Sequence, residues 1–251
     1  MFVAPVTAVG PAIVEWMASH VPLIAVELVP DAMANLAPVD DGVSDEQVLM
    51  CPDIMSTGFA GAETGEIKIG DTVAIFAQGP IGLCATAGAK LMGATLIIGV
   101  DTIPARLQMA KRMGADVVVD FRKEDPVEAI MRLTDGRGVD VAIEALGTQS
   151  TFESALRVLR PGGVLSSLGV YSSDLKIPLD AFAAGLGNKS IRSSLCPGGK
   201  ERMRRMLGVI ASGRVDLGNL VTHRFKLEQI EEAYDLFANQ RDGVLKVAIT
   251  I

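Results

Sequence analysis

From Asp71 onward, short unbroken apolar runs alternate with stretches whose apolar residues recur at helical spacing. The runs predict strands near 72–77, 95–100, 116–121, 139–144, 163–169 and 189–195, and the helical stretches predict helices near 81–92, 104–113, 125–133 and 150–159. The strings VVVDF and VDVAIEAL lack the two-residue alternation of a half-solvated strand, as expected of strands covered on both faces. Gly114, Gly136, Gly138, Gly162 and Gly163 fall where helices stop or turns are needed. Strand and helix in regular alternation imply an α/β fold, a doubly wound parallel sheet made of two similar halves, roughly 71–121 and 138–195.

The flanks read differently. Asp53 to Glu63 predicts a helix leading into the sheet. After Gly198 come a helix over KERMRRMLGVIASG, a VTHRF strand, an amphipathic helix from Leu227 to Phe237 and a terminal strand VLKVAITI. The first 45 residues are scattered with prolines and short strand-like pieces, with a turn at Asp40–Asp41–Gly42, and read as the remnant of a second domain.

One stretch carries chemistry. In TVAIFAQGPIG, residues 72–82, an apolar run empties into a glycine-containing loop, and the helix-like LCATAGAKLMG follows at once. Such a loop turns at the carboxyl end of a buried strand and lets backbone N–H groups, aided by the next helix's dipole, face a pyrophosphate. Gly79 and Gly82 supply the second and third glycines of G-x-G-x-x-G, while Ala77 stands in the first position, which calls for a turn that tolerates a methyl group. The next predicted strand ends at Asp101, 19 residues past Gly82, where a carboxylate can accept hydrogen bonds from ribose hydroxyls. Spacing and order together make this a Rossmann dinucleotide site; the alternative is a plain strand–turn–helix with Asp101 as a helix cap. Asp101 also argues for NAD over NADP, because it would repel a 2′-phosphate.

Composition narrows the class. A chain of 251 residues with 49% hydrophobic content and a mean hydropathy of +0.36 has enough apolar material for a large core. A net charge of −7 disfavours nucleic acid as a partner, and the one basic cluster, Lys200, Arg202, Arg204 and Arg205, reads as a solvated helix face. Cys51, Cys84 and Cys196 are odd in number and far apart, which argues against a disulfide framework or a cysteine-built zinc site and for a reducing, cytoplasmic setting. The apolar amino terminus carries Pro5, Pro11 and Glu15 and no basic start, so neither a signal peptide nor a membrane span is expected.

In these residues the chain resembles the zinc-containing medium-chain alcohol dehydrogenases, most closely the bacterial secondary-alcohol branch. The matching strings are CPDIMSTGFAGAE at 51–63, IKIGDTVAIFAQGPIGL at 67–83, TDGRGVD at 134–140, SLCPGGKERM at 194–203 and VTHRF at 221–225, covering about residues 26 to 251. The resemblance divides the chain into a remnant of an amino-terminal catalytic, GroES-like domain (1–45), a dinucleotide-binding Rossmann domain (46–215) and a segment returning to the catalytic domain (216–251). Residues 1 to about 24 match nothing in the family, and the cysteine and G-H-E zinc ligands of full-length members have no counterpart. His20 and His223 lie in no such context, and His223 reads as structural.

The resemblance implies hydride transfer between a secondary alcohol or ketone and a nicotinamide cofactor, NAD by the Asp101 argument, with zinc as Lewis acid in full-length relatives. It implies that Gly79, Pro80, Ile81 and Gly82 line the pyrophosphate, and that Asp101 takes the adenosine ribose with Arg106 beside it. Ala145, Leu146 and Gly147, with Gly169 and Val170, would present backbone to the second ribose and the nicotinamide, and Thr57 and Lys246 match further cofactor-proximal positions. Arg106 and Lys246 can equally be surface cations, and 145–147 and 169–170 plain strand ends. Asp53 is the one match to the zinc-ligand pattern; alone it cannot hold zinc, so the metal is not expected to be retained, and Asp53 can equally be a helix N-terminal residue. The chain is expected to be inactive by itself and to form a homodimer or homotetramer through the strand at 189–195. Two other readings stay open: a zinc-independent quinone-reductase-type relative, and a non-catalytic nucleotide-binding or assembly module; a methyltransferase fits the carboxyl-terminal strings least.

Overall fold

The computed structural model describes residues 32–39 and 42–250. Its contacts divide the chain into two units, one holding the residues as far as Ser56 together with those from Cys196 on, the other spanning Thr57–Leu195. Asp40 and Asp41 of the expected turn and nearly all of the proline-scattered front, including His20, lie outside the described residues, while Gly42 is described and lies in a turn.

In chain order the elements are helices α1 (Ala32–Asn35) and α2 (Asp45–Leu49), a π-helical turn (Cys51–Met55), α3 (Ser56–Thr64), β1 (Thr72–Phe76), α4 (Pro80–Leu91), β2 (Leu96–Asp101), α5 (Pro104–Met113), β3 (Val117–Asp120), α6 (Pro126–Leu133), β4 (Val139–Glu144), α7 (Gln149–Arg157), β5 (Leu159–Ser167), β6 (Ser190–Ser193), α8 (Lys200–Ala211), β7 (Val221–Lys226), α9 (Ile230–Ala238) and β8 (Lys246–Thr250). The unit from Thr57 to Leu195 is a six-stranded parallel sheet in the order β3-β2-β1-β4-β5-β6. That is a doubly wound Rossmann fold, and its strand order reverses between β1 and β4.

The apolar runs become strands because helices cover them on both faces. All six residues of β4 are buried. On one face Phe76, Ile98 and Leu165 of the sheet pack with Ile130 of α6 and with Phe152 and Leu156 of α7. Each fully buried side chain of this size contributes roughly 1.5–3 kcal/mol. On the other face α3 comes so close that a Cβ on Gly61 would stand 2.6 Å from Leu168 and 3.3 Å from Ile143. Caps set the helix starts: Asp125 accepts from Val127 and Glu128 N–H at 2.9 Å ahead of α6, and Thr148 accepts from Thr151 N–H ahead of α7.

The strand expected at 163–169 begins earlier, at Leu159, and ends at Ser167. Val139 pairs with Leu159 and Val141 with Val164, so β5 advances five residues while β4 advances two. The Pro161–Gly162–Gly163 punctuation is absorbed as a bulge inside the strand. At the opposite end of the sheet from the glycine loop, Asp140 accepts from Thr72 N–H at 2.8 Å, Arg137 at 2.6 Å and Arg160 at 2.5 Å. Burial is the largest single influence on Asp140 and opposes its ionisation, but the Thr72 amide and the two guanidiniums outweigh it and hold the carboxyl below its usual range.

In the other unit β7 and β8 form a two-stranded parallel sheet against which α9 packs. Arg224 of β7 makes a two-pronged bond to Glu46 of α2, at 2.5 and 2.7 Å. Arg202 is no solvated cation: its Nε donates to Ser56 Oγ at 2.6 Å and its NH2 to Ser56 O at 2.8 Å. Arg204 and Arg205 pair with Glu201 on the exposed side of α8, as the solvated-face reading expects. His223 is held structurally, between Thr222 Oγ1 at 2.9 Å and Asp242 at 3.3 Å.

Candidate functional site

The crevice at the β1/β4 switch begins with the loop after Phe76. Ala77 donates its N–H to Val100 O at 2.9 Å, while its φ of 72° lies in the left-handed region. The turn therefore does not favour a methyl group; it carries one at a cost of about 1–2 kcal/mol. Gln78 is fully buried: its N–H reaches Asp101 Oδ2 at 2.7 Å, its Nε2 donates to Ile75 O, and its Oε1 accepts from Thr86. Gly79 is the N-cap of α4 with no side-chain cap bond, and Pro80 opens the helix. A Cβ on Gly79 would meet open space, whereas one on Gly82 would stand 1.9 Å from Ala77 O. The loop is thus closed behind Gly82 and open in front of α4, whose first amides have no internal partner.

The sides of the crevice follow from the topology. Asp101, at the tip of β2, is 5% exposed, and its carboxylate accepts from Gln78 N–H at 2.7 Å, Thr102 N–H at 2.7 Å and Ile103 N–H at 3.0 Å. Arg106 NH1 lies 3.9 Å from Asp101 Oδ2, and the buried Arg106 Nε has no hydrogen-bond partner among the described residues. With a side chain only 17% exposed, Arg106 is not a surface cation. Asp101 also pairs in register with Asp120 at the tip of β3, whose carboxyl is held below its usual range first by the Thr102 hydroxyl and then by the Arg122 amide.

On the β4 side, Ala145 donates its N–H to Phe76 O at 3.1 Å, and its Cβ would lie 3.7 Å from one built on Gly82. Gly147, at φ 90°, touches the 169–170 segment: a Cβ there would stand 2.5 Å from Val170 O. Val170 itself is 81% exposed. Thr57 is buried, and the next residue, Gly58, packs so tightly on the first turn of α4 that a Cβ would meet Ile81 O at 2.6 Å. Thr57, Gly79, Pro80, Ile81, Gly82, Asp101, Arg106, Ala145, Gly147, Gly169 and Val170 therefore gather along one edge of one sheet. Lys246 belongs to the other unit, where it lines a cavity of about 230 Å³ with Ile230, Tyr234 and Phe237. Burial lowers its ammonium from the usual range, opposed by the charge of Asp53, so it too is more than a surface cation.

Two residues of this edge carry no motif signal: Gln78, and Glu144 at the end of β4. An acid closing the wholly buried VDVAIE strand is the sequence feature that marks Glu144.

The donor set does not suit zinc. Asp53 is exposed in the π-helical turn, Cys51 is buried with its thiol pushed up to about 12 by desolvation, and Cys196 donates to Pro52 O at 3.1 Å. Among the described residues no three His, Cys, Asp or Glu side chains cluster to hold a metal, and catalytic zinc takes three protein ligands. Among the same residues no helix is long and apolar enough to cross a membrane.

Residues 80–212 match the family model described as zinc-binding dehydrogenase. The chain belongs to the zinc-binding dehydrogenases, the zinc-containing medium-chain alcohol dehydrogenase family. It is 72% identical over 222 residues to an alcohol dehydrogenase of Cupriavidus necator, a match covering 88% of this chain and 61% of that protein. It is 39% identical over 227 residues to an NADP-dependent isopropanol dehydrogenase of Thermoanaerobacter brockii, covering 89% of this chain and 64% of the relative. Among solved structures, an alcohol dehydrogenase from a Thermus species superposes with a TM-score of 0.80 at 31% identity, over 89% of this chain and 63% of that one. The family member described here thus spans about three-fifths of the length of these relatives.

Proposed function

We propose that this chain binds NAD(H) along the carboxyl edge of its six-stranded sheet and serves hydride transfer between a small secondary alcohol or ketone and nicotinamide. The observation that carries the reading is the uncapped start of α4, open in front of Gly79 and closed behind Gly82, with Asp101 at the neighbouring strand tip. A pyrophosphate fits the α4 amides, and the adenosine ribose falls toward Asp101. A carboxylate offers about four acceptor positions. Three of those on Asp101 serve backbone amides, leaving one for a ribose hydroxyl. The Arg106 Nε, which has no partner among the described residues, would be a donor for the same half of the ligand.

NAD is favoured over NADP because a 2′-phosphate here would meet two carboxylates, Asp101 and Asp120. In this the chain would differ from the relative named NADP-dependent. An alcohol or ketone substrate is supported by the likeness to an alcohol dehydrogenase and an isopropanol dehydrogenase. Zinc chemistry forms no part of the reading for this chain, whose described donors do not suit the metal, and alcohol turnover by the chain alone is expected to be negligible. Calorimetric titration with NADH tests the site: saturable one-to-one binding supports it, and absence of binding at millimolar nucleotide rejects it.

A further inference from the structure

Glu144 ends β4 with no exposed surface, and burying a carboxylate costs heavily unless its oxygens are satisfied. Its hydrogen-bond partners come from the segments that follow β4 and β5. Oε1 accepts from the amides of Leu146 at 2.9 Å and Gly147 at 2.8 Å and from the Thr151 hydroxyl at 2.7 Å. Oε2 accepts from the Tyr171 hydroxyl at 2.7 Å, which lies 2.8 Å from Ser167 Oγ. Burial pushes the Tyr171 phenol up from its ordinary range, and Glu144 adds to the effect, so the phenol keeps its proton and donates.

The two segments meet directly above this carboxylate. A Cβ on Gly169 would stand 2.3 Å from both N and Cα of Gly147 and 2.4 Å from Glu144 Oε2. Leu168 donates its N–H to Glu144 O at 2.8 Å. Glu144 therefore fixes by side chain and by backbone how far apart residues 145–147 and 169–171 stand. With the pyrophosphate at α4 and the adenosine on the β2 side of the switch point, the other half of a dinucleotide falls on these two segments.

We propose that Glu144 is a positioning residue for the nicotinamide half of the cofactor, setting the spacing of the 145–147 and 169–171 backbone that receives it. The proposal rests on the NAD(H) reading above. ADP-ribose keeps the adenosine, the pyrophosphate and the second ribose and lacks only the nicotinamide ring, so the ratio of the two affinities reports how well the 145–147 and 169–171 backbone is placed for the ring.

NADH and ADP-ribose are titrated calorimetrically against the chain and against Glu144→Ala, Glu144→Gln and Tyr171→Phe. Glu144→Ala is expected to weaken NADH at least about tenfold more than ADP-ribose, and Tyr171→Phe about threefold more. Glu144→Gln should restore the NADH to ADP-ribose ratio to within about threefold, because its carbonyl still accepts from Leu146 and Gly147 while its NH2 donates toward Tyr171. A side chain that only held the fold would weaken both ligands together. Should Glu144→Ala fail to fold, Tyr171→Phe, which removes one hydroxyl from a partly exposed ring, makes the same comparison. An unchanged ratio in Glu144→Ala and Tyr171→Phe overturns the Glu144 assignment alone; binding of neither ligand by the unsubstituted chain overturns the nucleotide reading and this proposal with it.

Discussion

The backbone N–H of Gln78 donates to Oδ2 of Asp101 across 2.7 Å, joining the glycine loop to the tip of the next strand. Asp101 is thus structural, since its oxygens order the loop and the 102–103 turn, and under the proposed NAD(H) reading its one remaining acceptor position would serve a ribose hydroxyl.

Asp101→Asn replaces one of the two oxygens that now accept three amides with an NH2, so at least one N–H loses its partner. The variant should lose about 1–3 kcal/mol of stability. It should also discriminate less between NADH and NADPH. Urea unfolding measures the first effect and nucleotide titration the second; a variant as stable as the parent would show that the amide bonds contribute nothing.

Two glycines of the loop should respond differently. Gly82→Ala sets a methyl group 1.9 Å from Ala77 O, so the loop must move, at a cost of at least about 2 kcal/mol and with loss of nucleotide binding. Gly79→Ala meets open space at an ordinary φ of −68°, so its stability should stay within about 1 kcal/mol of the parent while its methyl group hinders the nucleotide. Thermal unfolding of the pair checks the contrast, and equal losses would refute it.

The loop after β1 and the place of Asp101 were legible in the sequence, because a tight turn into α4 needs glycine where Gly82 meets Ala77 O and the next apolar run stops at Asp101. The sheet was legible because strands covered on both faces are apolar throughout, as in β4. The start of β5 was not, since Pro161–Gly162–Gly163 reads as punctuation and only pairing with β4 reveals a bulge. Glu144 and Gln78 were hidden for a related reason: their roles depend on partners up to 27 and 23 residues away, the donor Tyr171 and the acceptor Asp101, and no local spacing encodes such a contact.

Asp140 gives a pH signature. Its carboxyl is held below the usual value near 3.8, so it stabilises the fold above about pH 4, and that stabilisation is lost as pH falls through the lower folded-state value. Asp140→Asn should cost about 1–3 kcal/mol at pH 7, since the Arg137 and Arg160 guanidiniums it leaves are partly solvated. The gap between variant and parent should begin to narrow as pH falls below about 4 and continue to close as it falls through the folded-state value; a constant gap down to about pH 2 would refute the linkage.

Self-association is expected through β6, the short edge strand. Ser194 N–H reaches Ser167 O at 3.3 Å on β5, so the alternation of the ladder turns the Ser193 N–H to the open side. Ser193→Pro should weaken the dimer without affecting nucleotide binding. Sedimentation of the unsubstituted chain as a monomer at micromolar concentration would end this expectation.

The most direct measurement is a paired fluorescence titration of the unsubstituted chain with NADH and NADPH under identical conditions. NADH should bind at least about tenfold more tightly, through the α4 amides and Asp101. Equal affinities, or tighter binding of NADPH, would contradict the assignment of Asp101 as the ribose-facing carboxylate.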